Sequence, residues 1–188
     1  IVTDLILLLS LFQTDGRKHI PLKALSSKRK LTRAFSRYDR NFSYEKFEGQ
    51  IISLVRMAVF SDDRANLASF CGGPLHPYFD NIVEMTYINA VLIKKLYVQN
   101  NILHVTLRTW WINYSEHNGQ IYKSGDCIDV SLRRNIAERE APGFSITSVS
   151  CTGCGGSFDA VRQRVCPYCH TEYHMENKGW VIEGMMPV

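Results

Sequence analysis

Cys151-Thr-Gly-Cys154 and Cys166-Pro-Tyr-Cys169 form a C-x2-C-x11-C-x2-C array near the C-terminus, with Gly155 and Gly156 following the first pair. Two thiolates two residues apart can grip one ion from a tight turn, and glycine lets the backbone swing its N–H groups toward sulfur. Two such knuckles complete the closed tetrahedral sulfur set that structural Zn²⁺ takes. The competing readings are two disulfides or a redox C-x-x-C. A disulfide framework suits a small secreted chain, and a redox pair opens a helix after a strand. Neither setting is found here, so the spacing points to Zn²⁺ as cofactor, held by Cys151, Cys154, Cys166 and Cys169. All four positions are filled by cysteine, leaving none for water, so the metal is expected to hold the fold and not to catalyse. His170 and His174 follow the last cysteine and are expected beside the site, outside its ligand set.

No other group of residues has the makings of a reaction centre. His76 and Asp80 are the one acid/base pair to consider, but a single histidine flanked by prolines reads first as a loop residue. No catalytic residue is assigned, and the chain reads as a non-enzyme. Cys71 and Cys127 belong to no cysteine motif and read as small buried apolar residues. Singleton thiols beside a reduced thiolate cluster argue for a reducing compartment.

The net charge of +4 conceals an uneven distribution. From Gly16 to Arg40 nine basic residues face Asp39 alone, which leaves +8 there and −4 in the remainder. Such a stretch attracts an anionic membrane surface or a nucleic acid, or it is simply a solvated face. Lys28, Arg29, Lys30, Arg33 and Arg37 are the candidate anionic-lipid contacts. Ahead of them, Ile1 to Phe12 is strongly apolar but interrupted by Asp4. Crossing a bilayer takes about 20 residues, so this run cannot span as it stands. It reads as the end of a spanning helix, an interfacial helix or a helix packed on protein, and the basic residues after it resemble a cytoplasmic flank. Beginning on Ile1, the chain reads as a piece of a longer protein.

With 188 residues and 45% hydrophobic content, there is enough apolar material for one good core plus a small module. Three blocks are expected: 1–38, an apolar helix and a basic linker or helix; 39–150, an α+β domain; and 151–188, a zinc ribbon with a closing apolar strand. In the second block Ser43 is the candidate N-cap of an amphipathic helix running to about Ser61, since Phe47, Ile51, Leu54, Val55, Ala58 and Val59 recur at helical spacing. Asp62-Asp63 breaks it, and a short helix from Arg64 to Phe70 follows. Strands are then predicted over 82–98, 102–114, 126–134 and 144–150, with turns at Asn100-Asn101 and 116–119. The fold class is therefore α+β, with N-terminal helices on a curved antiparallel sheet of about four strands and a small C-terminal zinc ribbon.

Asp39-Arg-Asn-Phe42-Ser-Tyr-Glu-Lys-Phe47, the long helix after it, the acidic break at Asp62-Asp63 and the long strands together resemble the Tim-forty-four-like domain family. That family has the nuclear transport factor two-like superfold, a cone with a pocket between helices and sheet. Bacterial relatives often end in a cysteine-rich ribbon and a closing Trp-Val, matched by Cys151 to Cys169 and Trp180-Val181. The resemblance spans about Asp39 to Ile182. It implies a membrane-associated binding or scaffold domain on the cytoplasmic side of the bacterial inner membrane, with protein transport as the family's setting. An anionic membrane surface, a protein partner, or both are the implied partners, and an apolar ligand has a place in the cone. Phe70, Tyr78, Phe79, Trp111 and Tyr114 are the ligand-pocket candidates, although residues of these types are first of all core. Adjacent Trp110 and Trp111 face opposite sides of a strand, so only one of them can serve that pocket. Phe60 stands where the family has tryptophan.

The alternative is a zinc-ribbon nucleic-acid binder, which predicts basic and aromatic residues on the ribbon. Arg162, Arg164 and Lys178 are there balanced by Asp159, Glu172 and Glu176, so nucleic acid is disfavoured. A small enzyme on the same cone would require a polar pocket with a perturbed acid or base. Oligomeric state is not encoded in any of these features.

Overall fold

A computed structural model of the chain describes residues 20–21, 24, 27–137, 148–160, 163–175 and 179–188. The apolar run 1–12 and the start of the basic stretch lie outside the described residues, as do 144–147 and ribbon residues 162, 176 and 178. Among the described residues no helix is long and apolar enough to cross a membrane.

The fold is α+β: among the described residues two helices pack on a four-stranded antiparallel sheet, and a cysteine cluster lies toward the C-terminus. Helix α1 spans Ser27–Phe35 and buries Leu31 and Phe35, one turn apart, while Lys28, Arg29, Lys30 and Arg33 remain exposed. Helix α2 spans Tyr44–Phe60. Ser43 caps it as its sequence position predicts: the backbone is extended and the hydroxyl accepts from the Lys46 N–H at 3.3 Å. At the other end Arg64 donates to the carbonyls of Ala58 and Val59, which have no partner within the helix. The periodic apolar residues of α2 are all buried against the sheet.

Only Arg64–Asn66 of the predicted short helix is helical, as a single tight turn. The backbone then extends because the strand Val181–Pro187 (β6) claims its hydrogen bonds. Ile182 donates to the Ser69 carbonyl, Cys71 donates to the Ile182 carbonyl, and Phe70 bridges Ile182 in parallel.

The sheet order is β1-β2-β3-β6, with β1 at Ile82–Gln99, β2 at Ile102–His117, β3 at Gln120–Asn135 and β6 at Val181–Pro187. Both hairpins turn on two residues with positive φ, Asn100-Asn101 (50° and 61°) and Asn118-Gly119 (53° and 74°). That handedness matches the twist of the flanking strands. β3 begins six residues earlier than the apolar alternation indicates, because Gln120 to Gly125 continue the ladder with β2 although none of them is buried.

Among the described residues the fourth strand of the sheet is β6, and of the expected strand 144–150 only 148–150 are described. Val149–Ser150 (β4) instead pairs with Ser157–Phe158 (β5) as the base of the first knuckle. The chain thus leaves the sheet after β3, builds the ribbon and returns through Trp180 to close the sheet edge.

Most buried apolar side chains form one core between helices and sheet, centred on residues such as Trp111, Leu107, Ile128 and Leu132. Phe35, Phe42, Phe47 and Trp180 interlock there with ring centroids 4.9–5.5 Å apart, tying both helices to the chain entering β6. Val149, Phe158, Ala160 and Met175 extend the same core into the ribbon. Trp110, on the opposite face of β2, is buried too, in a separate small cluster with Ala24, Ala90 and Cys127. The two tryptophans therefore serve different cores, as their strand alternation requires.

Candidate metal centre

Each cysteine pair sits on a knuckle, and the two knuckles repeat each other with an offset of fifteen residues. In the first, the Cys151 N–H donates to the Gly156 carbonyl and the Gly155 N–H donates to the Cys151 carbonyl, both at 2.9 Å. In the second, Cys166 donates to Thr171 and His170 donates to Cys166, both at 3.0 Å. The β4–β5 pair at Ser150↔Ser157 has its counterpart in the bridge Val165↔Glu172.

The repeat explains the residue after each second cysteine. Gly155 has φ +73° and His170 has φ +59°, the left-handed conformation that reverses the chain beneath the sulfurs. Gly156 answers a different need, since a Cβ there would lie 2.7 Å from the Tyr168 ring.

The four sulfurs converge, all within 4.8 Å of one another. Cys151 Sγ lies 3.5 Å from Cys169 Sγ, and Cys154 Sγ lies 3.7 Å from Cys166 Sγ. A disulfide would need about 2.05 Å, and no disulfide joins any of the six cysteines. Tetrahedral sulfurs about 2.3 Å from a zinc ion stand about 3.8 Å apart. The cluster therefore fits a metal ion of that class and does not fit cystine. Cys151 and Cys166 are buried, Cys154 and Cys169 exposed, so the site straddles the edge of the core.

The thiols are electrostatically unequal. The Thr171 hydroxyl and N–H, with the neighbouring thiols, hold Cys169 at about 6. Cys151 is lowered by the Cys154 and Gly153 N–H groups; Gly153 donates to its sulfur at 3.3 Å. The Gly156 N–H donates to Cys154, yet the adjoining Cys169, Cys166 and Cys151 sulfurs and desolvation push this thiol up to about 12. Four thiolates this close repel one another, and a divalent cation is what allows all of them to ionise together. Thr171 is a part of the site that residue types alone do not disclose. Its position two after Cys169 corresponds to Gly156 two after Cys154, and that symmetry was the available signal. His170 and His174 are exposed and outside the cluster.

The other candidate residues are not brought together. Trp111 is fully buried, lining a cleft between α2 and the sheet with Tyr44, Glu48, Tyr87 and Leu107. Its cavity volume is about 10 Å³, room for about one water. Phe70 and Phe79 are core residues away from that cleft, Tyr78 bonds to Asn113, and Tyr114 lies under the Lys123 ammonium. His76 caps a short turn by accepting from the Tyr78 N–H, and Asp80 pairs with Arg64. Neither faces the other as an acid/base pair. Of the basic candidates, Lys28 is engaged by Glu45 and by the Tyr44 ring. Arg29, Lys30, Arg33 and Arg37 are exposed, with no acidic partner among the described residues.

No family model, curated protein or solved structure matches this chain.

Proposed function

We propose that the protein is a non-enzymatic binding or scaffold domain, stapled by a structural Zn²⁺, that sits on an anionic membrane surface through α1. In this reading it is a Tim-forty-four-like domain at the cytoplasmic side of a bacterial inner membrane, where it presents a bound protein partner. The supporting observation is the division of α1: Leu31 and Phe35 are locked in the core while Arg29, Lys30 and Arg33, with Arg37 just beyond, are solvent-facing and unneutralised. A solvated helix usually mixes acidic with basic residues; this one has no acidic residue in its first turn or elsewhere along SKRKLTRAF. Each such charge contributes about 1 kcal/mol near an anionic leaflet, so the group acting together supports reversible docking. The closed cleft beside Trp111 favours surface binding over an enclosed apolar ligand.

Vesicle sedimentation at graded anionic lipid content is the test. Binding should rise with anionic fraction, fall with salt and drop at least tenfold when Arg29, Lys30 and Arg33 are changed together to glutamine. Binding that ignores lipid charge or survives that triple change would exclude the membrane role. Tighter binding to RNA or DNA than to vesicles would transfer the basic face to a nucleic-acid partner.

A further inference from the structure

The inner face of the sheet has a second, polar half that the apolar core does not use. In the β2–β3 ladder Trp111 stands opposite Asp126, Asn113 opposite Ser124, and Ser115 opposite Tyr122. Paired residues point to the same face, so these side chains share the face of Trp111, displaced toward the Asn118-Gly119 turn. Four groups there bond one another. The Asn113 amide donates to the Tyr78 hydroxyl at 2.7 Å and to Asp126 Oδ2 at 3.2 Å, and Ser124 Oγ donates to that same carboxylate oxygen.

The donor and acceptor inventory of this cluster is lopsided. Both described bonds of the Asn113 amide nitrogen and the Ser124 hydroxyl are spent inside the cluster. The Tyr78 O–H is directed at the Asp126 carboxylate as well, so what is left over is acceptor capacity and one negative charge. Asn113 is fully buried, and its Oδ1 has no hydrogen-bond partner. A buried acceptor left unpaired costs about 1–3 kcal/mol and is uncommon enough to call for a function or a missing donor. Asp126 is only half-buried and has no cationic partner among the described residues. The nearby Lys123 ammonium is on the opposite face, over Tyr114. Tyr78 belongs to the cluster, and Tyr122, two residues from Ser124 on the same strand face, packs its ring on His117 at the exposed rim.

We propose that Asp126 and Asn113, bordered by Tyr78 and Tyr122, form a binding site for a guanidinium group, as borne by an arginine side chain. A half-buried carboxylate beside a buried, unpaired amide oxygen favours a cation rich in N–H groups. Guanidinium adds a flat face that stacks on tyrosine, which a compact ammonium lacks. The site is separate from the metal cluster and from the basic face of α1, and stands whether or not the membrane reading does.

The test is a titration of the metal-loaded protein with N-acetyl-arginine methylamide, followed through the Asn113 side-chain amide and the Tyr78 and Tyr122 ring signals by nuclear magnetic resonance. Saturable shifts confined to these groups are expected, weakened at least tenfold by Asp126→Asn and unaltered by Glu84→Gln, which removes an exposed carboxylate elsewhere. The lysine analogue should bind more weakly, and urea, which is flat but neutral, should not saturate. No saturation, equal response to urea, tighter binding of the lysine analogue or an unchanged response in Asp126→Asn would each overturn the proposal. If Asp126→Asn does not fold, nuclear Overhauser contacts in the native protein between the guanidinium-bearing chain and the Tyr78 or Tyr122 ring decide the same question: present they support the site, absent they exclude it.

Discussion

The sheet's first two strands run for 18 and 16 residues, whereas the ribbon's two named strands have two residues each. The sheet side of the molecule buries Trp111, Leu107, Ile128 and Leu132 almost completely. Each buried side chain of that size contributes about 1.5–3 kcal/mol, so the body can hold itself together by burial. The knuckles have no such reserve. Between Cys151 and Gly156 and again between Cys166 and Thr171, the described residues other than the cysteines are exposed or half-buried. Besides their backbone hydrogen bonds, the converging sulfurs are what the knuckles have to order them. Yet the base of the ribbon is fused to the body, for Ala68 donates to the Ala160 carbonyl and Arg164 donates to the Phe70 carbonyl at 2.8 Å. The contrast teaches that one polypeptide uses two stabilising devices that meet at Phe158, Ala160 and Met175.

The strongest way to break that contrast is to deprive the four sulfurs of a metal ion. Structural zinc in isolated finger peptides contributes about 10–16 kcal/mol of apparent binding energy. Chelation, or Cys166→Ser, is therefore expected to abolish amide protection over 151–156 and 166–171 while β2 stays protected; hydrogen exchange by mass spectrometry checks this. Loss of protection across β2 as well would mean that the body, too, depends on the metal.

The converse experiment strikes the body. Trp111→Ala should cost about 3–5 kcal/mol, a fall in Tm of roughly 2–4 °C per kcal/mol for a chain of this size, with metal content per folded chain unchanged. Calorimetry with parallel metal analysis separates the two. Ser43→Ala, which removes the cap of α2, should cost about 1 kcal/mol and likewise leave the ribbon untouched, measurable as a shift in urea midpoint at constant slope.

Smallest and of opposite sign is His170→Gly. A side chain at φ +59° is held in a conformation that glycine enters freely, so stability of the ribbon should rise by up to about 1 kcal/mol. Gly155→Ala, at the matching position of the other knuckle, should lower it. Chelator competition reads both, and equal effects of the same sign would contradict the repeat between the knuckles.

How much of this was legible in the residues follows the range of each interaction. The cysteine cluster, the Ser43 cap, the helical face of α2 and the Asn100-Asn101 turn depend on spacing within a few positions, and sequence displays such spacing directly. The membership of β6 in the sheet is different. Its partner β3 ends at Asn135 and β6 begins at Val181, so no local pattern announces their pairing. The early start of β3 is hidden because Gln120 to Gly125 show no apolar alternation; their register is dictated by the hairpin turn and by β2. The segment after Asn66 has helical composition, but the backbone bonds it makes to Ile182 prevail. The Asn113 cluster escaped notice for the same reason, since Tyr78, Asn113 and Asp126 meet only when the sheet is assembled. The pocket candidates failed to converge because aromatic type marks burial well and location poorly.

Four converging sulfurs imply a bound ion, and metal content measured on the reduced, purified chain examines that most directly. Elemental mass spectrometry should find one zinc per polypeptide, absent in Cys166→Ser and displaced from the native protein only with loss of knuckle protection. A chain without stoichiometric metal whose knuckle amides are nonetheless protected would contradict it.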